Sequence, residues 1–252
     1  MSKFTHYIFD DKEIFIFDSL DDIAKYVCDY FIKLSSEVLK NQNRFSVALS
    51  GGNTPINLYK KLAESKEINW NNIDIFQVDE RFVPPNHPDN NYNMIKKVLL
   101  DNIKIPSTNI HKISVDKESA EKSAREYEQD IVNYFQTSLP SFDLILLGIG
   151  DDGHTASLFP DTPELNEKQK LCINTQKEYV KHERISMTLP LINNAKNISF
   201  LVSEKNKSQV LQNIITNRNC LLPAAKVKLN NNKIKFFIDK EAASCLNQKS
   251  SK

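Results

Sequence analysis

The sequence predicts an α/β fold in which a mostly parallel sheet is covered by helices on both faces, and two observations carry that prediction. Short, β-rich apolar runs alternate along the chain with longer stretches whose apolar residues recur at helical spacing, the order a parallel sheet requires. All five glycines of the 252-residue chain fall in two clusters, Gly51-Gly52 and Gly148, Gly150, Gly153, each just after a buried-strand run. Average usage would give about 18 glycines in a chain this long, so glycine survives here where its positive φ and its lack of a Cβ have the fewest substitutes. Strand-end loops of open parallel sheets are where such folds place their ligands.

The elements follow in order. A β-rich run at 14–17 leads to Asp18 or Ser19, either of which caps a helix marked by Leu20, Ile23, Ala24, Val27, Phe31, Leu34 and Val38. FSVAL (45–49) is a buried strand ending at Ser50-Gly51-Gly52-Asn53-Thr54, and Pro55 opens the next helix through Leu58, Tyr59 and Leu62. IDIFQV (73–78) is a second strand, followed by Asp79-Glu80-Arg81, a loop with Pro84, Pro85 and Pro88, and a helix over 91–100. A helix over 117–137 precedes the strand FDLILL (142–147), which runs into Gly148-Ile149-Gly150-Asp151-Asp152-Gly153-His154 and a short helix at 155–158. The remaining strands fall at 184–189, 198–202 and 234–238, with helices at 191–195 and 207–215. No stretch reads as a linker or a repeat, and Asn230-Asn231-Asn232 reads as a surface turn, so the expectation is a single domain over 1–252.

Composition narrows the class. The 33 basic and 32 acidic residues are interspersed and leave a net charge of +1, which argues against nucleic-acid and anionic-membrane partners. The N-terminus lacks a signal-peptide core and no run is long enough for a membrane helix, so a cytoplasmic protein is expected. Cys28, Cys172, Cys220 and Cys245 are scattered singly, so the pattern suggests neither a disulfide framework nor a zinc site. A monomer is the default expectation at this size.

Three constellations carry chemistry. In Ser50-Gly51-Gly52-Asn53-Thr54-Pro55, a glycine turn entering a helix N-terminus aims backbone N–H groups and the positive end of the helix dipole at one place, which is an anion site. It has no P-loop lysine, which disfavours a nucleoside triphosphate. Asp79, Glu80 and Arg81 end a buried strand, where three ionisable groups are costly unless a cleft solvates or pairs them. Arg81 suits bidentate grip of a phosphate or carboxylate, and either acid suits orientation of a partner or proton transfer. His154 follows three glycines at a strand end and is the only histidine of five so placed; His6, His87, His111 and His182 read as surface residues. A neutral imidazole accepts a proton from water near neutral pH, the task of a general base in ester hydrolysis, and Asp151 or Asp152 is placed to fix its tautomer. No second His or Cys stands at ligand spacing from His154, so neither a metal nor any other cofactor is expected, and no G-x-S-x-G elbow supports a serine hydrolase. Arg184 and Lys207 join Arg81 as cations for a dianionic phosphate if the strand ends converge.

At this point the residues resemble a known family. VALSGGNTP (47–55), VDERFVP (78–84), Asn90-Asn91-Tyr92, GIGDDGHTASLFP (148–160), RISMTLPLIN (184–193) and LPAAKV (222–227) together are similar to 6-phosphogluconolactonases in order and spacing over almost the whole chain. The segment 148–160 is the most specific, whereas the Ser-Gly-Gly loop is shared with glucosamine-6-phosphate deaminase and ribose-5-phosphate isomerase. The resemblance implies one α/β domain of modified Rossmann type that hydrolyses 6-phospho-D-glucono-1,5-lactone to 6-phosphogluconate in the pentose phosphate pathway. It further implies His154 as general base and Asp79, Glu80 and Asp152 lining the same pocket. Ser50, Gly51, Gly52, Asn53, Thr54, Arg81, Arg184 and Lys207 would hold the substrate phosphate or its neighbouring groups, with Lys205 the alternative to Lys207.

Two rivals differ in recognisable ways. The deaminase pattern has a Tyr where Arg81 stands and an Asn-Pro before its Asp-Gly-His. A non-catalytic sugar-phosphate sensor would carry a DNA-binding module, for which no segment is left over, and would have no need of His154.

Overall fold

Eight of the strands lie side by side in one twisted sheet, which a computed structural model describes through residues 3–230 and 232–246; position 231 of the Asn230-Asn231-Asn232 turn lies outside them. The chain enters through a hairpin of β1 (Phe4–Phe9) and β2 (Lys12–Phe17). The sequence marked only the second of these, because β1 is an edge strand with largely exposed side chains and no buried run to betray it. Helix α1 (Leu20–Leu39) starts at Ser19, whose hydroxyl accepts the Asp22 N–H at 3.2 Å, with Asp21 and Asp22 at the positive end of its dipole.

The order then runs β3 (Phe45–Leu49), α2 (Ile56–Glu64), β4 (Ile73–Gln77), β5 (Asp79–Arg81), α3 (Asn91–Val98), β6 (Ile110–His111), α4 (Ala120–Phe135) and β7 (Leu144–Leu147). It ends with β8 (Cys172–Thr175), β9 (Arg184–Met187), α5 (Leu189–Asn193), β10 (Ile198–Val202), α6 (Ser208–Thr216) and β11 (Ile234–Asp239). The large sheet has the order β1-β2-β11-β10-β7-β3-β4-β6, and every neighbouring pair except β1-β2 is parallel. Period-two alternation sorts its side chains: Leu144 and Leu146 pack with Ile23, Val27, Phe31, Leu58, Leu62 and Ile95 of α1, α2 and α3 on one face. Ile145 and Leu147 pack with Ala124, Tyr127 and Ile131 of α4 and Leu211 and Ile214 of α6 on the other. Each fully buried side chain of this kind contributes about 1.5–3 kcal/mol, and two covered faces explain why the strands read as continuous apolar runs.

Two expectations are corrected. The run at 184–189 does not join the parallel sheet; β5, β9 and β8 form a separate antiparallel sheet in that order, packed through Cys172, Ile173, Ile185 and Met187 against the α4 side of the core. The segment 155–158 is not a helix but a tight turn: the Leu158 N–H donates to the Thr155 carbonyl at 2.9 Å and Ala156 sits at φ 52°, which helical geometry excludes. Among the described residues no helix is long and apolar enough to cross a membrane.

Candidate active site

From neighbouring β3 and β7 the chain departs to different sides of the sheet, since β4 and β6 lie beyond β3 whereas β10, β11 and β2 lie beyond β7. Such a switch in strand order opens a crevice at the carboxyl ends of the strands. A cleft of about 190 Å³ lies there, lined by Ser50 to Pro55 after β3, Asp79 and Arg81, Gly148 to Gly150 and His154 after β7, Arg184 on β9 and Lys207 before α6.

The loop after β3 is built for close approach. A Cβ on Gly51 would stand 1.9 Å from Oδ1 of Asn91, so only glycine lets the first residue of α3 lean on this loop. Asn91 in turn donates from Nδ2 to the Asp79 carbonyl at 3.1 Å, joining the loops that follow β3 and β4. The buried Tyr59 hydroxyl donates to the Ser50 carbonyl at 2.7 Å and ties the loop to α2. Pro55, which lines the cleft, precedes α2 without a side-chain cap, and the Ile56 N–H donates back to the Asn53 carbonyl at 3.2 Å, closing the turn from the loop into the helix.

Asp79, Glu80 and Arg81 take three separate jobs. Asp79 lines the cleft, and its carboxylate accepts the Ser157 hydroxyl at 2.6 Å. Glu80, expected in the pocket, is fully buried outside it: its oxygens accept the backbone N–H groups of Arg81 at 2.8 Å, Asn91 at 2.7 Å and Tyr92 at 2.7 Å, and the Gln77 amide at 2.8 Å. It closes the N-terminus of α3 from below, and no face of it is left for substrate. Burial pushes its carboxyl up, against the pull of those four donors. Arg81 returns to the cleft, its Nη1 donating to the Asp89 carbonyl at 2.8 Å.

The antiparallel register sets Arg81 directly opposite Arg184. The Nε of each is buried with no hydrogen-bond partner. Burial, and then the neighbouring Arg81, push the Arg184 guanidinium below its ordinary value. Like charges directly opposed on adjacent strands are destabilising; both side chains line the one cleft, and Asp79, Glu80 and Asp89 offset part of their repulsion. Lys207 lines the same cleft from the turn before α6, whereas Lys205 is exposed outside it.

His154 forms the other end. Its Nδ1 is 2.6 Å from Oδ1 of Asp152, and its backbone N–H donates to the same oxygen at 3.1 Å. Burial works against the Asp152 charge, yet the bonds from His154 and from the Tyr179 hydroxyl, 2.5 Å from Oδ2, hold the carboxyl well below the usual range. An ionised carboxylate only accepts, so Nδ1 donates to it, and in the neutral ring this leaves the lone pair on Nε2. Asp151 instead accepts the Asn206 amide at 3.0 Å, which leaves Asp152 as the partner of His154. The sequence missed Asn91, Ser157 and Tyr179 as parts of this site; Asn91 at least sits beside a helix start, but Tyr179 lies in an irregular segment with no local pattern around it.

Comparisons with known proteins give the chain its family. A family model described as glucosamine-6-phosphate isomerases/6-phosphogluconolactonase matches residues 18–236. The chain is 41% identical over 182 residues to a 6-phosphogluconolactonase of Synechocystis sp., covering 71% of this chain and 75% of that one. It is 38% identical over 205 residues to that of Haemophilus influenzae, covering 79% and 87%. The crystal structure of 6-phosphogluconolactonase from Thermotoga maritima superposes with a TM-score of 0.80 at 32% identity, covering 90% of this chain and 99% of that one. The chain therefore belongs to the family of glucosamine-6-phosphate isomerases and 6-phosphogluconolactonases.

Proposed function

We propose that the protein hydrolyses 6-phospho-D-glucono-1,5-lactone to 6-phosphogluconate, the lactonase step of the pentose phosphate pathway. The observation that carries this reading is the polarity of one cleft, whose lining joins Arg81, Arg184, Lys207 and the Ser50 to Pro55 loop to a histidine whose Nε2 is left free by Asp152. Relatives named 6-phosphogluconolactonase support it from the sequence side.

In this reading the cations and the Ser50 to Thr54 loop hold the phosphate and fix the ring. Nε2 of His154 takes a proton from water as its oxygen bonds to the lactone carbonyl carbon. Asp152 stabilises the imidazolium that forms, and a cationic side chain or backbone N–H steadies the oxyanion. Collapse of the tetrahedral intermediate breaks the bond to the ring oxygen, which takes the proton back from His154 and leaves as a hydroxyl. The acid product then ionises. No step calls on a cofactor.

We further read the protein as a cytoplasmic monomer acting on a small phosphosugar. Its four free cysteines suit a reducing compartment. Sedimentation velocity checks the monomer.

The test is hydrolysis of freshly prepared lactone with the spontaneous rate subtracted, before and after treatment with a chelator. Catalysis unaffected by the chelator, and lost in His154→Ala with the fold intact, is the expected result. Release of ammonia from glucosamine 6-phosphate would overturn the choice of reaction.

A further inference from the structure

Beside the arginine pair, outside the cleft lining, the structure brings together His87, Asp89 and His182. His87 and His182, read from sequence as surface residues, come from loops far apart in the chain and meet over one carboxylate. Nε2 of His182 is 2.9 Å and Nδ1 of His87 is 3.8 Å from Oδ2 of Asp89, and the three donor atoms lie within 4.8 Å of one another. The two rings stand edge to face, their centroids 5.2 Å apart.

We propose that His87, Asp89 and His182 form a binding site for a divalent transition ion of the zinc type. Two imidazoles and a carboxylate are a ligand set suited to zinc and its neighbours and unsuited to magnesium or calcium, which take oxygen ligands. Tetrahedral bonds of about 2.0–2.1 Å place donors about 3.4 Å apart; the two imidazole-to-carboxylate separations of 2.9 and 3.8 Å bracket that value, and the third lies within 4.8 Å, so small adjustments of the side chains would close the set on an ion. Nδ1 of His87 accepts the Asp89 backbone N–H at 3.0 Å, which means that it carries a lone pair and no proton, the form a metal requires. An ion entering replaces that one weak contact and the His182–Asp89 bond. All three residues are half-buried, so water can complete the coordination and the ion has a way in.

Lys181 stands 3.7 Å from the same carboxylate oxygen with its side chain 76% exposed, a loose surface pair that an entering dication would displace. The Asp89 carbonyl accepts Arg81 Nη1, which ties the loop carrying two ligands to the anion end of the cleft. The ion would act as a clamp that fastens the 84–90 loop to the 176–183 loop beside Arg81. It takes no part in the chemistry at His154.

The test does not depend on catalysis, so its failure leaves the lactonase reading untouched, and a failed lactonase assay leaves this site standing. Chelator-treated protein is titrated with Co²⁺, read by visible absorption, and with Zn²⁺, read by calorimetry, in wild type, His182→Asn, His87→Asn and the control His6→Asn. Wild type and the control are expected to bind a single saturable equivalent and to gain thermal stability with Zn²⁺. Each ligand variant is expected to lose about 10- to 100-fold or more in affinity and to lose the Zn²⁺-dependent rise in Tm. Equal affinity in His182→Asn and wild type, or no saturable binding to wild type, overturns the proposal.

Discussion

Arg81 and Arg184 are directly opposed across two antiparallel strands, and each keeps a buried Nε without a partner. The register sets like charges face to face and burial takes away part of their water, a cost that Asp79, Glu80 and Asp89 offset in part. The pair makes physical sense when an anion completes it. Stability and ligand affinity are therefore expected to pull in opposite directions at these two positions.

Arg184→Met removes one of the two charges and keeps an apolar stem of similar length. A hydrogen bond to a charged group is worth about 1.5–3 kcal/mol, so kcat/KM for the lactone is expected to fall at least about tenfold, mostly through KM. The melting temperature without ligand is expected to stay the same or rise. A variant that melts earlier and keeps its KM contradicts the anion role.

Gly150→Ala tests the catalytic end. A Cβ there would stand 2.1 Å from Cε1 of His154, so the ring has to leave its place beside Asp152. The expected result is a fall in kcat of about 10²-fold or more, the scale of a general base, with an unchanged far-ultraviolet circular dichroism spectrum. Asp152→Asn is expected to lower kcat comparably by changing the tautomer while KM moves little.

Glu80→Gln separates structure from chemistry. Four donors converge on this buried carboxylate, and an amide nitrogen in place of one oxygen meets donors with a donor. Equilibrium urea unfolding is expected to show a loss of about 3 kcal/mol, with kcat per folded molecule near wild type. Full stability combined with lost turnover would return Glu80 to the catalytic machinery.

His111 predicts a pH dependence of stability unrelated to the active site. It stacks on Phe76 with centroids 4.1 Å apart, its Nδ1 is 2.9 Å from Asp130 and its Nε2 is 3.7 Å from Asp74. Burial works against its charge, but the two carboxylates outweigh that and raise it from 6.5 to about 9. Because the folded value exceeds the unfolded one, the stabilisation is complete below about pH 6.5 and is lost as pH rises through about 9. Wild type is expected to lose up to about 3 kcal/mol relative to His111→Gln across that range, measured by urea unfolding at each pH. Parallel curves for the two proteins would show that His111 is not the titrating group.

The large sheet was legible because burial on both faces writes itself into composition. FSVAL (45–49) and ISFLV (198–202) are buried throughout, and their bounds agree with the strands observed. The small sheet was not legible. β5 and β8 have three and four residues, too few to show a period, and their partner β9 lies far from β5 in the chain. For the same reason the sequence reads Arg81 and Arg184 as separate cations and cannot place them face to face. At Glu80 the residue type gave the wrong job, since a carboxylate at a strand end looks alike whether it meets substrate or the N–H groups of a helix. Asp152 and His154, two residues apart in one glycine loop, needed no long-range pairing to be found.

No continuous stretch of this chain contains the cleft. Its parts hang on the ends of β3, β4, β7 and β10 and on the second sheet, so they are scattered from residue 50 to residue 207. Closing such distant contacts is the slow part of folding. On refolding from urea, helix signals should recover first and turnover last, when β5 and β9 finally meet. That meeting sets the two guanidinium groups against each other, so phosphate in the refolding buffer is expected to speed the return of turnover, and an unchanged rate would show that no anion joins this step.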